Sequence, residues 1–203
     1  MESIAMRKWI RATCLLALLM CAGACSVLPG PKPMLPGCPD GYDLHVDTQM
    51  GFSSCYPSGW ILLRGEEESG LEWVGFLSPA ADWKTGNEWR LVLIKSLPSN
   101  VVPGDEFLLA AEELLVNNYG QKLLGLPMHI TVDGQQAVEV SYIKEPGLFA
   151  EGVAKLTGWT VVFLANGKQW VIEVTGRSGY RLELEGVHQQ VLKEFHILPG
   201  SPR

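Results

Sequence analysis

Two dipeptides, Asp133-Gly134 and Asn166-Gly167, do most to limit the folds open to this chain. Each stands between two extended runs, in MHITVDGQQAVEVSYIK and GWTVVFLANGKQWVIEVTG. Asx-Gly readily takes positive φ at both central positions of a type I′ turn, whose twist matches that of the strands it joins. Each stretch is therefore expected to fold as an antiparallel hairpin. A sheet built from such hairpins must then find something to cover the face it buries.

The rest of the chain supplies that cover. In PGDEFLLAAEELLVNNYG, Phe107, Leu108, Ala111, Leu114 and Leu115 fall on one helical stripe. Asp105 is the expected N-cap and Gly120 the expected stop. A second helix is expected near the C-terminus, with Leu184, Val187, Val191 and Phe195 on one face, Gly186 inside it and Pro199 ending it. Earlier, FSSCYPSGWILLRG reads as strand, Pro-Ser-Gly turn and extended piece, and LEWVGFLSP as a further strand. EWRLVLIKSLP is apolar at nearly every position and so reads as a central strand. The order is strands, helix, strands, helix. That predicts an α+β fold, an α/β/α sandwich with a mainly antiparallel sheet covered by two helices. With 203 residues, seven Trp and 47% hydrophobic residues, the chain can bury a real core.

Short motifs in this frame resemble a known family. CYPSGW (Cys55 to Trp60) looks like the opening of PsbP-like domains, and VDGQQAVEVSY (Val132 to Tyr142) resembles their Asp-Gly hairpin. VLKEFHIL (Val191 to Leu198) is similar to their closing helix and strand, with Glu194 where the family has Ser. The resemblance covers roughly residues 40–198 and implies the sandwich shared by PsbP and the Ran-binding Mog-type proteins. Bacterial members are often lipoproteins without assigned activity, and the photosynthetic members are extrinsic subunits of photosystem II. No functional residue of a photosystem or metal role can be matched here. On their own physics the motif residues have packing roles: Pro57 sets a turn, Trp60 fills the core, Gly134 supplies positive φ, and Ala137 lets the sheet approach a helix.

The N-terminus reads as an address. Arg7, Lys8 and Arg11 precede an uncharged run, ATCLLALLMCAGA, which ends in small residues. That is the layout of a signal peptide, and the run is shorter than the ~20 apolar residues of a spanning helix. Ala22, Gly23 and Ala24 lead into Cys25, a string that resembles a bacterial lipobox, although Ala22 stands where Leu is usual. The resemblance implies that the Cys25 thiol takes a diacylglycerol and that the chain is cut before it. Two or more acyl chains hold a protein on a bilayer where one does not. The expected organisation is a signal peptide over 1–24, a Pro/Gly-rich tether over 25–37 and one domain over 38–203. The expected place is the extracytoplasmic side of the cell membrane. Ordinary secretion and an uncleaved anchor are the alternatives.

Of five cysteines, Cys14 and Cys21 leave with the signal and Cys25 takes lipid. Cys38 and Cys55 remain, and in an oxidising compartment they are expected to form a disulfide. Free thiols and a metal pair with His45 are the other readings, and the spacing matches no common zinc pattern.

Charge narrows the partners. The chain has 16 Lys+Arg and 22 Asp+Glu. Taking off the signal's three basic residues and one acid leaves 13 against 21, a net charge of −8. That argues against nucleic acid, which a basic stripe would bind. No linear catalytic motif is found: GRSGY lacks the last glycine of G-x-S-x-G, and H-E-x-x-H, P-loop and G-x-G-x-x-G strings do not occur. The reading is of no catalytic residue, no metal and no cofactor.

His45, His129, His188 and His196 are scattered and read as solvated positions, with a weak surface metal or proton site of His188 and His196, eight apart on one helical face, the alternative. GEEESG (Gly65 to Gly70) reads as a solvated acidic turn, with cation attraction the alternative. Core packing is the expectation for Trp73, and Trp89 stands between core and loop. Trp83, in the polar loop SPAADWKTGNEW, is the candidate partner contact.

The functional expectation is a lipid-anchored envelope binding or accessory module. Its partners would be the membrane, through Cys25, and an envelope protein or small ligand. An envelope enzyme or solute binder with a non-linear site is the second reading, and a photosystem-associated subunit the third.

Overall fold

A computed structural model describes residues 37–79, 81, 89–119, 122–144 and 155–199. The segments expected to be signal peptide and most of the tether, together with Cys25, Trp83 and Gly120, lie outside the described residues.

The elements follow the order read from the sequence. Strands β1 (Tyr42–Asp47), β2 (Phe52–Pro57), β3 (Ile61–Glu66), β4 (Glu72–Leu77) and β5 (Arg90–Pro98) lead to helix α1 (Asp105–Tyr119). Strands β6 (Met128–Val132), β7 (Gln135–Lys144), β8 (Leu156–Ala165) and β9 (Lys168–Arg177) follow, then helix α2 (Arg181–Lys193) and a short β10 (His196–Ile197).

Seven strands form one antiparallel sheet in the order β3-β4-β5-β9-β8-β7-β6. Both Asx-Gly turns stand where the sequence puts them. Asp133 and Gly134 have φ of 47° and 75°, and Asn166 and Gly167 have 51° and 71°. The β5 strand is interior, between β4 and β9.

A second sheet of three strands, order β1-β2-β10, is a feature the sequence reading lacks. Its formation corrects the C-terminal helix. The helix stops at Lys193, and His196–Ile197 pair antiparallel with Ser53 and Phe52. Asp133, at its hairpin tip, accepts the Ile197 N–H at 2.8 Å and helps to fix this strand. Cys38 and Cys55 are joined by a disulfide, with Cα atoms 5.7 Å apart, which ties the segment ahead of β1 to β2. The loop-entropy relation gives about 3 kcal/mol for a loop of this size.

The two faces of the large sheet are covered unequally, and that difference positions the site. On one face, Val74, Phe76, Val92, Ile94, Phe163 and Trp170 pack against α2 and the small sheet. On the other, α1 buries Phe107, Leu108, Ala111 and Leu115 against Val138, Val140, Val162 and Leu164. Leu114 of the expected stripe points out, and Asp105 begins the first turn rather than preceding it. α1 therefore sits over β7 and β8. Nearly all of β8 is buried, whereas β5 is buried only at alternate residues. Among the described residues no helix is long and apolar enough to cross a membrane.

Candidate functional site: a groove beside helix α1

The half-covered face of β3, β4 and β5 carries a groove of about 300 Å³. Its rows follow from the strand register. Leu63, Gly75 and Leu93 lie side by side across the three strands, and Gly65, Trp73 and Lys95 form the next row. Leu91 closes the groove beside Gly75.

Two glycines shape it. At Gly65 an added Cβ would fall 2.4 Å from the Trp73 ring, so the indole lies flat over Gly65 and walls one end of the groove. At Gly75 an added Cβ would meet Leu91 and Leu93 at 3.5 and 3.6 Å, ordinary contact distances. Gly75 thus forms the floor only because it carries no side chain. The sequence reading put Trp73 in the core. It is half-buried, because the register sets it on the face that α1 does not reach.

A polar row begins where the apolar groove ends. Lys95 Nζ lies 3.8 Å from Glu173 Oε2, and the Tyr142 hydroxyl donates to Glu173 Oε1 at 2.7 Å. Tyr142 lies across Gly158, where a Cβ would be 2.7 Å from its hydroxyl oxygen. Tyr119 of α1 stacks on Tyr142 at 4.2 Å and shares a 3.0 Å hydrogen bond with Thr160. Burial, reinforced by the nearby Glu173 carboxylate, pushes the Tyr142 hydroxyl far above the usual phenol range. Burial also raises Tyr119. Neither phenol is suited to act as a base, and each is held in a hydrogen bond.

The other sequence candidates are dispersed. His45 sits between the Phe52 and Phe76 rings, 3.8 Å from Asp47. Burial pulls its pKa below the ordinary value, against the pull of Asp47. Asp47 is itself anchored by the Met50 N–H at 2.8 Å and Arg64 at 3.1 Å. His129 faces Glu112 of α1 at 3.6 Å.

The structure corrects the reading of His188 as solvated and the reading of His188 and His196 as sharing a helical face. His196 lies on β10, 3.2 Å from Asp133. His188 is buried, with Nε2 2.7 Å from Glu139 Oε2 and its ring stacked on Trp159. Nothing in the local sequence marks that pair, because the two residues lie 49 positions apart. No group of three His, Cys, Asp or Glu side chains is placed to hold a metal ion among the described residues.

Sequence comparison adds no family: no family model matches the chain, and no curated protein matches it. Solved structures do. The chain is similar to cyanobacterial PsbP (CyanoP) from Synechocystis, at 17% identity and TM-score 0.52, over 80% of this chain and 98% of that one. It is similar to LpqN, involved in cell envelope biogenesis of Mycobacterium tuberculosis, at 17% identity and TM-score 0.54, over 73% and 83%. A Bacteroides thetaiotaomicron protein aligns at 12% identity and TM-score 0.53, over 80% of this chain. The chain spans about half (51%) of that protein's length. At these identities the likeness is one of fold, and it bears out the PsbP-like α+β architecture.

Proposed function

We propose that this chain is a non-catalytic binding protein of the cell envelope, anchored through Cys25, that takes an apolar ligand or protein segment in the groove over Gly75. The groove itself carries the reading. Two leucines of an interior strand, Leu91 and Leu93, sit on a sheet face that no described element covers. Volume and lining fall in the range of ligand sites, which are largely apolar with a few polar groups. The likeness to LpqN, a protein of envelope biogenesis by its own description, supports the location.

A solute binder is favoured over an enzyme by the polar row. Lys95, Glu173, Tyr142 and Tyr119 end the groove with groups already engaged with one another. Such groups can orient a ligand head. The photosystem reading rests on fold likeness alone, and no groove residue argues for it.

Gly75→Leu tests the site without disturbing the core, since its Cβ is tolerated and the rest of the side chain projects into the groove. Binding of an apolar fluorophore should fall roughly tenfold or more, with the melting temperature nearly unchanged. Undiminished binding in that variant would remove the groove from the argument. Cys25→Ala tests the anchor: intact mass should lose the lipid adduct, and the protein should leave the membrane fraction. A lipid adduct surviving in Cys25→Ala would sink the assignment.

A further inference from the structure

We infer that the groove's natural occupant is an extended peptide, apolar at alternate residues and basic at its N-terminal end, which adds as an antiparallel strand to β3. This rests on the groove being a binding site, and it names what binds.

The first observation is the free edge. β3 is the outermost strand of the seven-stranded sheet, and among the described residues nothing pairs with its outer side. The hairpin to β4 is closed by Glu67 N–H donating to Leu71 C=O at 2.9 Å. Bonded and non-bonded pairs alternate along an antiparallel ladder. Glu67 and Leu71 form a bonded pair, so Gly65, Leu63 and Ile61 also bond to β4. The N–H and C=O groups of Glu66, Arg64 and Leu62 then point outward. An added strand would find three donors and three acceptors waiting.

The second observation is apolar surface on both sides of that edge. Ile61 and Leu62 are each 48% exposed. Successive side chains of a strand face opposite ways, so Ile61 and Leu63 are on the groove side and Leu62 on the other. An incoming strand would lay every second side chain beside Leu63, completing the groove's open wall. Long apolar edges are normally blunted by charge or proline. Here the only charged residues of the strand are Arg64, held by Asp47 at 3.1 Å, and Glu66.

Charge sets the direction and the composition. Glu66, Glu67 and Glu68 stand together at the end of β3, with no cation paired to them among the described residues. Nearby cations are already taken, Lys168 by Glu72 at 3.3 Å and Lys95 by Glu173 at 3.8 Å. An antiparallel strand presents its N-terminal end to these carboxylates, so basic residues belong there. A second copy of this chain fits poorly. Antiparallel β3–β3 pairing centred on Arg64 would set two guanidinium groups opposite one another and the apolar Leu62 of one copy against Glu66 of the other.

The test uses the full chain in lipid nanodiscs and a dye-labelled octapeptide, Lys-Lys-Val-Ser-Leu-Ser-Val-Ser. Binding is read by anisotropy and amide exchange by NMR. The peptide should bind, and should slow exchange at Leu62, Arg64 and Glu66 while leaving Ile61, Leu63 and Gly65 unchanged. Replacing both lysines by glutamate should weaken it roughly tenfold. Backbone N-methylation at alternate residues should abolish binding in one phase and spare it in the other.

Equal loss in both methylation phases, or no parity in the exchange pattern, would overturn strand addition. So would a dimer linked through β3. If the octapeptide fails while an apolar fluorophore still binds and still responds to Gly75→Leu, the groove stands and the strand proposal falls. If the fluorophore fails as well, both fall.

Discussion

Replacing Phe195 by Ala should cost about 3–5 kcal/mol, the range for an aromatic lost from a packed core. The ring is fully buried. It stacks on Phe52 at 5.5 Å and meets Phe163 and Trp170 edge-on at 5.7 and 5.6 Å. These partners belong to different parts of the molecule. Phe52 comes from the small sheet, Phe163 and Trp170 from the large one, and Phe195 itself from the turn between α2 and β10. A cavity at that junction cannot close by moving one side chain, because three elements would have to shift together.

In a domain of this size each kcal/mol moves the melting temperature by about 2–4 °C, so a fall on the order of 10 °C is expected. The β10–β2 pairing should loosen first, since Phe195 sets its register. Leu182→Ala, at a site 86% exposed, is the control and should stay within about 0.5 kcal/mol. A loss below about 1 kcal/mol for Phe195→Ala would mean that the aromatic junction does not hold the two sheets together.

Features that depend on neighbouring residues were legible in the sequence, and those that depend on distant ones were not. The Asx-Gly turns are local chemistry, because they need two residues at positive φ and nothing else. The helices were legible because 3.6-residue periodicity is written into a single segment, though their ends drifted. Nothing in HIL says that β2 is waiting for it, so periodicity alone carries α2 past Lys193, and only the resemblance of VLKEFHIL to a closing helix and strand points to β10. The small sheet was missed for the same reason. It joins residues near 50 to residues near 197.

The site itself was half-legible. RLVLIKSL reads as a central strand, and its inner face is buried. Its outer leucines are apolar without a helix above them, and that mismatch is the groove's signature. It appears only when the length and place of α1 are known. Gly75, in mid-strand, was a signal that could have been used, since glycine there often marks close approach. Tryptophan drew attention to the region: Trp73 walls the groove, and Trp83 lies outside the described residues.

Glu139→Leu should destabilise the fold by about 1–3 kcal/mol, as should His188→Leu, because each leaves a buried polar partner without its hydrogen bond. Only 7% of Glu139 and 3% of His188 are exposed, and their hydrogen bond is 2.7 Å long. Trp159 stacks on the imidazole at 5.5 Å, and Arg181 lies 4.9 Å over the other ring system. Arg181 also donates to Thr157 at 2.9 Å, so it is committed elsewhere and cannot turn to rescue a lone carboxylate. The double variant Glu139→Leu, His188→Leu removes both polar groups at once. It should recover most of the loss, since replacing both partners of a buried hydrogen bond by apolar groups can be nearly neutral. The diagnostic quantity is the coupling between the two substitutions, measured by denaturant titration of all four proteins. Strong recovery would identify the pair as a device for seating α2 on β7 in one register rather than a source of net stability. Additive losses would show that neither residue depends on the other, and that the apolar face of α2, with Leu184, Val187 and Val191 buried, seats the helix without the pair.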